Sequence, residues 1–108
     1  MVVRERPLDS SFTPVWIGVR DRLLSIGEKP PQDRKASAFT YTGVQILEPE
    51  FLEILSDEQE SCLIRQGYQP AIERKMRIFG YRYSGYWNDL GTLDRLREVE
   101  KDPRFLGQ

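Results

Sequence analysis

The chain has 108 residues, room for one small domain, with 31% charged and 39% apolar residues, a composition ordinary for a soluble globular protein. Sixteen lysines and arginines face 17 aspartates and glutamates, so the net charge of −1 gives no bulk attraction to nucleic acid or to an anionic membrane. The absence of histidine removes His-based triads and His-ligated zinc, the single Cys62 excludes an internal disulfide and fits a reducing cytoplasm, and no apolar run reaches membrane-spanning or signal-peptide length.

Val2 to Glu5 reads as a short strand that Pro7 stops, and a chain opening on a strand at once reads as a piece of something larger. Val15–Val19 and Leu23–Ile26 are apolar, partly β-branched runs joined by Arg20-Asp21, the pattern of a hairpin. Gly27 to Ser37, with Pro30 and Pro31, is a loop. Phe39 to Leu47 is the strongest strand; both of its faces carry apolar groups, which predicts a central position. Pro49 starts a short helix with Phe51, Leu52 and Leu55 on a buried face. Ser61 is a candidate cap for the next helix, whose Leu63, Ile64 and Tyr68 face inward; Gly67 and Pro70 predict two turns meeting at Pro70. Arg77 to Tyr83 alternates as a strand. Thr92 caps a last helix with Asp94 in its first turn and Leu93, Leu96 and Val99 as the inward stripe, ended by Pro103. The order predicts an α/β fold with a mixed sheet and few short helices, leaving some sheet surface bare in a monomer.

Three constellations have chemical potential. In Tyr86-Trp87-Asn88-Asp89-Leu90-Gly91-Thr92, Asp89 is expected at the C-terminal edge of a strand, where ligands of open α/β sheets gather; magnesium takes a few carboxylates plus phosphate oxygens. The competing role is a carboxylate that accepts only the turn's own N–H groups. In Gly27-Glu28-Lys29-Pro30, Lys29 can meet a phosphate as a point charge and Glu28 can accept sugar hydroxyls, or the pair is a solvated charge pair. In Tyr41-Thr42-Gly43, the strand glycine marks close approach of a ligand or close packing on a helix. Cys62, without a histidine partner, reads as a buried, inert thiol. The aromatics Phe79, Tyr81, Tyr83, Tyr86 and Trp87 read as core and pocket wall.

Taken together, these stretches resemble the sugar-1-phosphate nucleotidyltransferases, such as the mannose-1-phosphate guanylyltransferases and glucose-1-phosphate thymidylyltransferases. Phe39 to Leu52 resembles the family's Thr-Gly strand and proline-started helix, Glu28-Lys29-Pro30 its Glu-Lys-Pro element, and Gly85-Tyr86-Trp87-Asn88-Asp89-Leu90-Gly91-Thr92 its Gly-Tyr-Trp-x-Asp-x-Gly-Thr signature. Ser61 to Pro70 resembles the helix between them, and the resemblance runs from about Val2 to Val99.

The resemblance implies a partial Rossmann-like nucleotidyltransferase domain. Residues 1–108 would be a single incomplete domain, the sugar-phosphate-binding half, with the N-terminal triphosphate loop, its arginine and lysine, and a second metal aspartate not encoded here. It implies attack of a sugar 1-phosphate oxygen on the α-phosphate of a nucleoside triphosphate, helped by magnesium. Asp89 would be a Mg2+ ligand, Lys29 would contact the sugar phosphate, Glu28 the sugar hydroxyls, and Tyr41 and Gly43 would line the sugar pocket. Thr13 and Pro14 stand where the family commonly has a sugar-contacting glycine. The expected partners are a sugar 1-phosphate, a nucleoside triphosphate only if an N-terminal half is supplied, and a complementing chain or a second copy; nucleic acid and membrane are not expected. The alternative is a non-catalytic binding or interaction module of the same ancestry.

Overall fold

In the computed structural model of the protein, residues 1–7, 10–55, 62–89 and 91–106 are described. Ser61, the expected cap, lies outside them, as does Leu90 of the signature stretch.

Five strands form one mixed sheet: β1 (Val2–Glu5), β2 (Pro14–Ile17), β3 (Leu23–Ile26), β4 (Ser37–Tyr41) and β5 (Tyr81–Arg82), in spatial order β3-β2-β4-β1-β5. β2 runs antiparallel to β3 and β4, β4 antiparallel to β1, and β1 parallel to β5. The α/β character, the mixed sheet and the central place of β4 agree with the sequence reading. The hairpin between β2 and β3 also forms where expected. Arg20 and Asp21 both sit at φ 60°, the left-handed pair that a twisted two-residue hairpin turn requires. The Gly18 N–H donates to the Arg22 carbonyl at 2.8 Å, closing the turn.

Two strands are shorter than their patterns predict. β4 ends at Tyr41 rather than Leu47 because Gly43 adopts φ +89° and turns the chain out of the pleat. The Thr42 hydroxyl donates to the Val2 carbonyl at 2.9 Å, and the Val2 N–H donates to the Val44 carbonyl at 2.8 Å, so contact with β1 persists without regular strand geometry. Of the alternation from Arg77 to Tyr83 only Tyr81–Arg82 is strand. Phe79 makes a single bridge to Arg22, and the Gly80 N–H donates to the Asp21 carbonyl at 2.7 Å. The pairing with β1 stops at the Tyr83 N–H, which donates to the Val3 carbonyl at 2.8 Å.

The core is built on one face of the sheet. Val3, Val15, Ile17 and Leu23 meet Phe51, Tyr68 and Ala71, all buried, with Leu55, Leu63 and Ile64 packed against the cluster. Phe51 lies on α1 (Pro49–Leu52), Tyr68 ends a wide π-helical segment (Leu63–Tyr68), and Ala71 lies on α2 (Gln69–Glu73), with Pro70 in its first turn. This is the expected pair of turns meeting at Pro70. Gly67 is required by space: a Cβ there would lie 2.9 Å from Phe51 Cζ. Leu52, expected inside, is 51% exposed, because a helix of one turn turns only Phe51 and the following Leu55 toward the core.

The last helix, α3 (Leu93–Lys101), starts as expected: the Thr92 hydroxyl accepts the Arg95 N–H at 3.2 Å, and Asp94 sits in the first turn. Its stripe does not bury. Only Val99 is buried, while Leu93 is 70% exposed and Leu96 is also exposed. Asp102 ends α3, and Pro103 opens a final turn, α4 (Pro103–Leu106), rather than simply closing the preceding helix. Among the described residues no helix is long and apolar enough to cross a membrane.

Candidate functional site

Because β2 opposes both β3 and β4, those two strands point the same way and their C-terminal ends emerge at one edge of the sheet. Gly27 follows β3 at φ +143°. Its N–H donates to the Pro14 carbonyl at 3.0 Å and its carbonyl accepts the Trp16 indole N–H at 2.8 Å. Held this way, the turn presents Glu28 and Lys29 to solvent, both exposed. At the end of β4, an added Cβ on Gly43 would meet no atom within 4 Å. Close packing is therefore not why glycine stands there; the positive φ is.

Tyr41 turns its ring to the core side. It packs edge-on against Tyr68 at 6.0 Å, and both hydroxyls donate to the Gln45 side-chain carbonyl, that of Tyr68 at 2.8 Å. Burial raises the ionisation of both phenols above the ordinary range, and for Tyr68 the neighbouring Tyr41 adds to the effect.

Asp89 lies seven residues beyond Arg82, in a loop rather than at the strand edge, because β5 stops early. The loop is nevertheless brought back to the sheet edge. The Trp87 indole N–H donates to the Thr42 carbonyl at 3.2 Å, and the ring meets Phe12 edge-on at 5.7 Å. The Arg95 guanidinium lies 4.6 Å above the Phe12 ring and donates to Asp89 Oδ2 at 2.8 Å. The other oxygen, Oδ1, accepts the Gly91 N–H at 2.9 Å. Asp89 thus has the turn-closing bond weighed from its sequence, with an ion pair added. Among the described residues no hydrogen bond or ion pair joins Glu28 or Lys29 to Tyr41, Gly43 or Asp89; what they share is one end of the sheet.

Beside this loop is a cleft of about 330 Å3 whose wall includes Arg4, Thr40, Phe12, Trp87, Asn88 and Arg95. Phe12 and Arg95 are the residues that sequence reasoning missed. Arg95 carried no signal beyond a place in the first helical turn after Thr92, and Phe12 none beyond adjacency to Thr13-Pro14. Two readings change. Phe79, Tyr81 and Tyr83 are exposed, Tyr81 by 71%, because β5 is an edge strand with no further strand beyond it among the described residues. Cys62 is half-exposed rather than buried, and the backbone N–H groups of Arg65 and Ile64 lower its pKa.

Among the described residues no group of three His, Cys, Asp or Glu side chains is placed to hold a metal. Asp89 alone offers a carboxylate at the loop. That donor set fits magnesium held by one carboxylate with phosphate oxygens and water, and does not fit a cage made wholly of protein ligands.

Compared with known proteins, residues 1–104 match the family model described as nucleotidyl transferase. The chain belongs to the nucleotidyl transferase family. Glucose-1-phosphate adenylyltransferases are among the relatives of this nucleotidyl transferase chain. That of Thermotoga neapolitana is 32% identical over 98 residues, covering 82% of this chain and 23% of its own length. That of Clostridium acetobutylicum is 31% identical over 90 residues, covering 76% and 23%, and that of Lachnospira eligens 30% over 95 residues, covering 86% and 22%. The chain therefore spans less than a quarter of these relatives' length. No solved structure matches it. The matched span includes the Glu-Lys-Pro turn, the Thr-Gly turn and the signature loop.

Proposed function

We propose that this chain is the sugar-phosphate-binding portion of an enzyme that transfers a nucleotidyl group from a nucleoside triphosphate to a sugar 1-phosphate, releasing pyrophosphate, and that alone it does not turn over. The observation that carries the reading is the Trp87 bond to the Thr42 carbonyl, which ties the signature loop to the sheet edge where the Glu28-Lys29 turn also emerges.

In this reading Lys29 meets the phosphate as an exposed point charge. Glu28 accepts sugar hydroxyls. Gly43, with open space beside it, lets a sugar approach the backbone. Tyr41 holds that turn through Gln45 and Tyr68 and offers its backbone to the ligand. Asp89 would hold magnesium together with substrate oxygens, and when bound the ion neutralises phosphate charge during in-line displacement. Arg95, now paired with Asp89, borders the same cleft and would serve there as a phosphate partner if Asp89 held the ion.

The names of the relatives make glucose 1-phosphate the first sugar to try and an adenylyl donor the first nucleotide. We infer that a nucleotide is engaged only with a complementing polypeptide or a second copy, and that the protein works in the cytoplasm, as a lone cysteine fits. A second reading, a non-catalytic interaction module, is favoured by the exposed edge strand with Tyr81. A thermal-shift titration with glucose 1-phosphate and mannose 1-phosphate, with and without magnesium, separates them. Stabilisation that grows with the logarithm of ligand excess supports the sugar-phosphate site. A folded chain that shifts with neither sugar phosphate overturns it.

A further inference from the structure

The end of the sheet opposite to Gly43 and Lys29 holds a second, differently charged opening. β1 and β5 finish there and β4 begins there. Because β5 is only two residues long, no described strand pairs with the outer edge of β1 beyond Val3, and a cleft of about 810 Å3 opens between Arg4–Pro7, Ser37–Phe39 and Arg82–Ser84.

Three guanidiniums border it. Arg6 is fixed by donating to the carbonyls of Ser10 and Phe12 through Nε and one terminal nitrogen, which leaves the other terminal nitrogen uncommitted. Arg82 stacks 5.0 Å from the Phe39 ring centre and pairs with Asp21 through Nε at 2.9 Å, leaving both terminal nitrogens. Arg4 is half-buried, and its side chain makes no hydrogen bond, ion pair or ring contact with any described residue. The other three half-buried cations, Arg6, Arg22 and Arg95, each donate to a carbonyl or a carboxylate. The five N–H donors of the Arg4 guanidinium thus have no acceptor among the described residues and are open to an anion that enters the cleft.

Arg4 also borders the smaller cleft beside Trp87, but there Arg4 and Arg95 face Glu5 and Glu98, a balanced set. Among the described residues of the larger cleft, Arg4, Arg6 and Arg82 face Glu5, with Asp21 behind Arg82, three cations against two carboxylates. Ser37 and Ser84 add hydroxyl donors.

We propose that this cleft is a second anion site, built for a phosphate group by Arg4, Arg6 and Arg82. It does not rest on the sugar-phosphate reading, because Glu28, Lys29, Tyr41, Gly43 and Asp89 do not line it; Arg4 is shared with the wall of the cleft beside Trp87. Two of its arginines are already oriented by bonds to the protein, so little ordering cost accompanies binding. A planar, multiply donating guanidinium suits a phosphate better than a halide, which makes the site selective at fixed ionic strength.

The test is titration of the 15N-labelled chain with inorganic phosphate and, separately, phenyl phosphate, at constant ionic strength set with chloride and followed by amide chemical shifts. The proposal expects saturable shifts at Arg4, Ser37, Arg82 and Ser84, unchanged by Lys29→Gln and weakened about tenfold by Arg4→Gln or Arg82→Gln, the loss of one charge-assisted contact. The tighter of the two anions tells free from esterified phosphate. Arg82 is 57% exposed in its side chain, so Arg82→Gln serves even if Arg4→Gln does not fold. Shifts that never saturate, that centre on Lys29 and Arg95, or that survive both arginine variants overturn it.

Discussion

Arg95 donates to Asp89 Oδ2 at 2.8 Å while Gly91 donates to the other oxygen of the same carboxylate. The side chains are 29% and 42% exposed, so the pair itself is worth at most about 1 kcal/mol. Its interest is competition. A divalent cation at Asp89 has to displace Arg95, so Arg95→Gln is expected to strengthen cation binding. With manganese as a paramagnetic substitute for magnesium, broadening of the Gly91 amide should appear at lower concentration in the variant. Equal broadening in both proteins would separate Asp89 from any metal role.

Gly80 and Gly43 differ in why they are glycine. A Cβ on Gly80 would lie 2.8 Å from Ile17 Cδ1 and 3.3 Å from Val3 Cγ2, both in the core. Gly80→Ala is expected to lose about 1–3 kcal/mol through overpacking. On Gly43 a Cβ meets nothing, but the residue sits at φ +89°, so Gly43→Ala should lose about 1–2 kcal/mol from backbone strain alone. Urea unfolding checks both. Ile17→Val, which removes the Cδ1 that the new Cβ would meet, should recover part of the loss in the Gly80→Ala background and none in the Gly43→Ala background.

Tyr41 and Tyr68 have phenol pKa values raised above 10 by burial. For a group that releases a proton on ionising, a raised folded pKa means the stability is fully present below the unfolded value near 10 and is lost as pH rises through the folded one. Stability should therefore fall above about pH 10. Of the five tyrosines, Tyr41 and Tyr68 should ionise late in an absorbance titration, with unfolding. Tyr68→Phe, which removes the bond to Gln45, should lose about 1 kcal/mol and soften the alkaline fall.

Cys62 should react with a thiol reagent in the folded protein. It is half-exposed, and the backbone N–H groups of Arg65 and Ile64 favour its thiolate. Modification at neutral pH is expected to be complete and faster than for a free cysteine-containing peptide. A thiol that reacts only after denaturant is added would contradict the described geometry.

Trp87 holds the signature loop through one indole N–H, which donates to the Thr42 carbonyl. Trp87→Phe keeps an aromatic ring against Phe12 but loses that bond. It should weaken sugar phosphate binding about tenfold in the thermal-shift titration while costing only about 1 kcal/mol of stability. Unchanged binding would detach the loop from the proposed site.

Features encoded in neighbouring residues were legible in the sequence. The hairpin around Arg20-Asp21, the Pro49 helix start, the Pro70 junction and the Thr92 cap all formed where local turn and cap chemistry put them. The order of Glu28-Lys29-Pro30, Thr42-Gly43 and the signature stretch was enough to point to the family that residues 1–104 match. The alternation of Arg77 to Tyr83 and the stripe of Leu93, Leu96 and Val99 misled, because periodicity reports what could be buried and not what has a neighbour to bury it.

By itself, then, the sequence determined the order of strands and helices, the hairpin turn, the Pro49 and Thr92 helix starts and the family. Only the tertiary structure decided that Asp89 is paired with Arg95, that Trp87 reaches a carbonyl 45 residues away, that Tyr81 lies bare on an edge, and that Arg4 is left without an acceptor among the described residues. The physical reason is range. Caps and turns are satisfied within a few residues, whereas ion pairs, exposure and charge balance depend on which distant segments the sheet brings side by side.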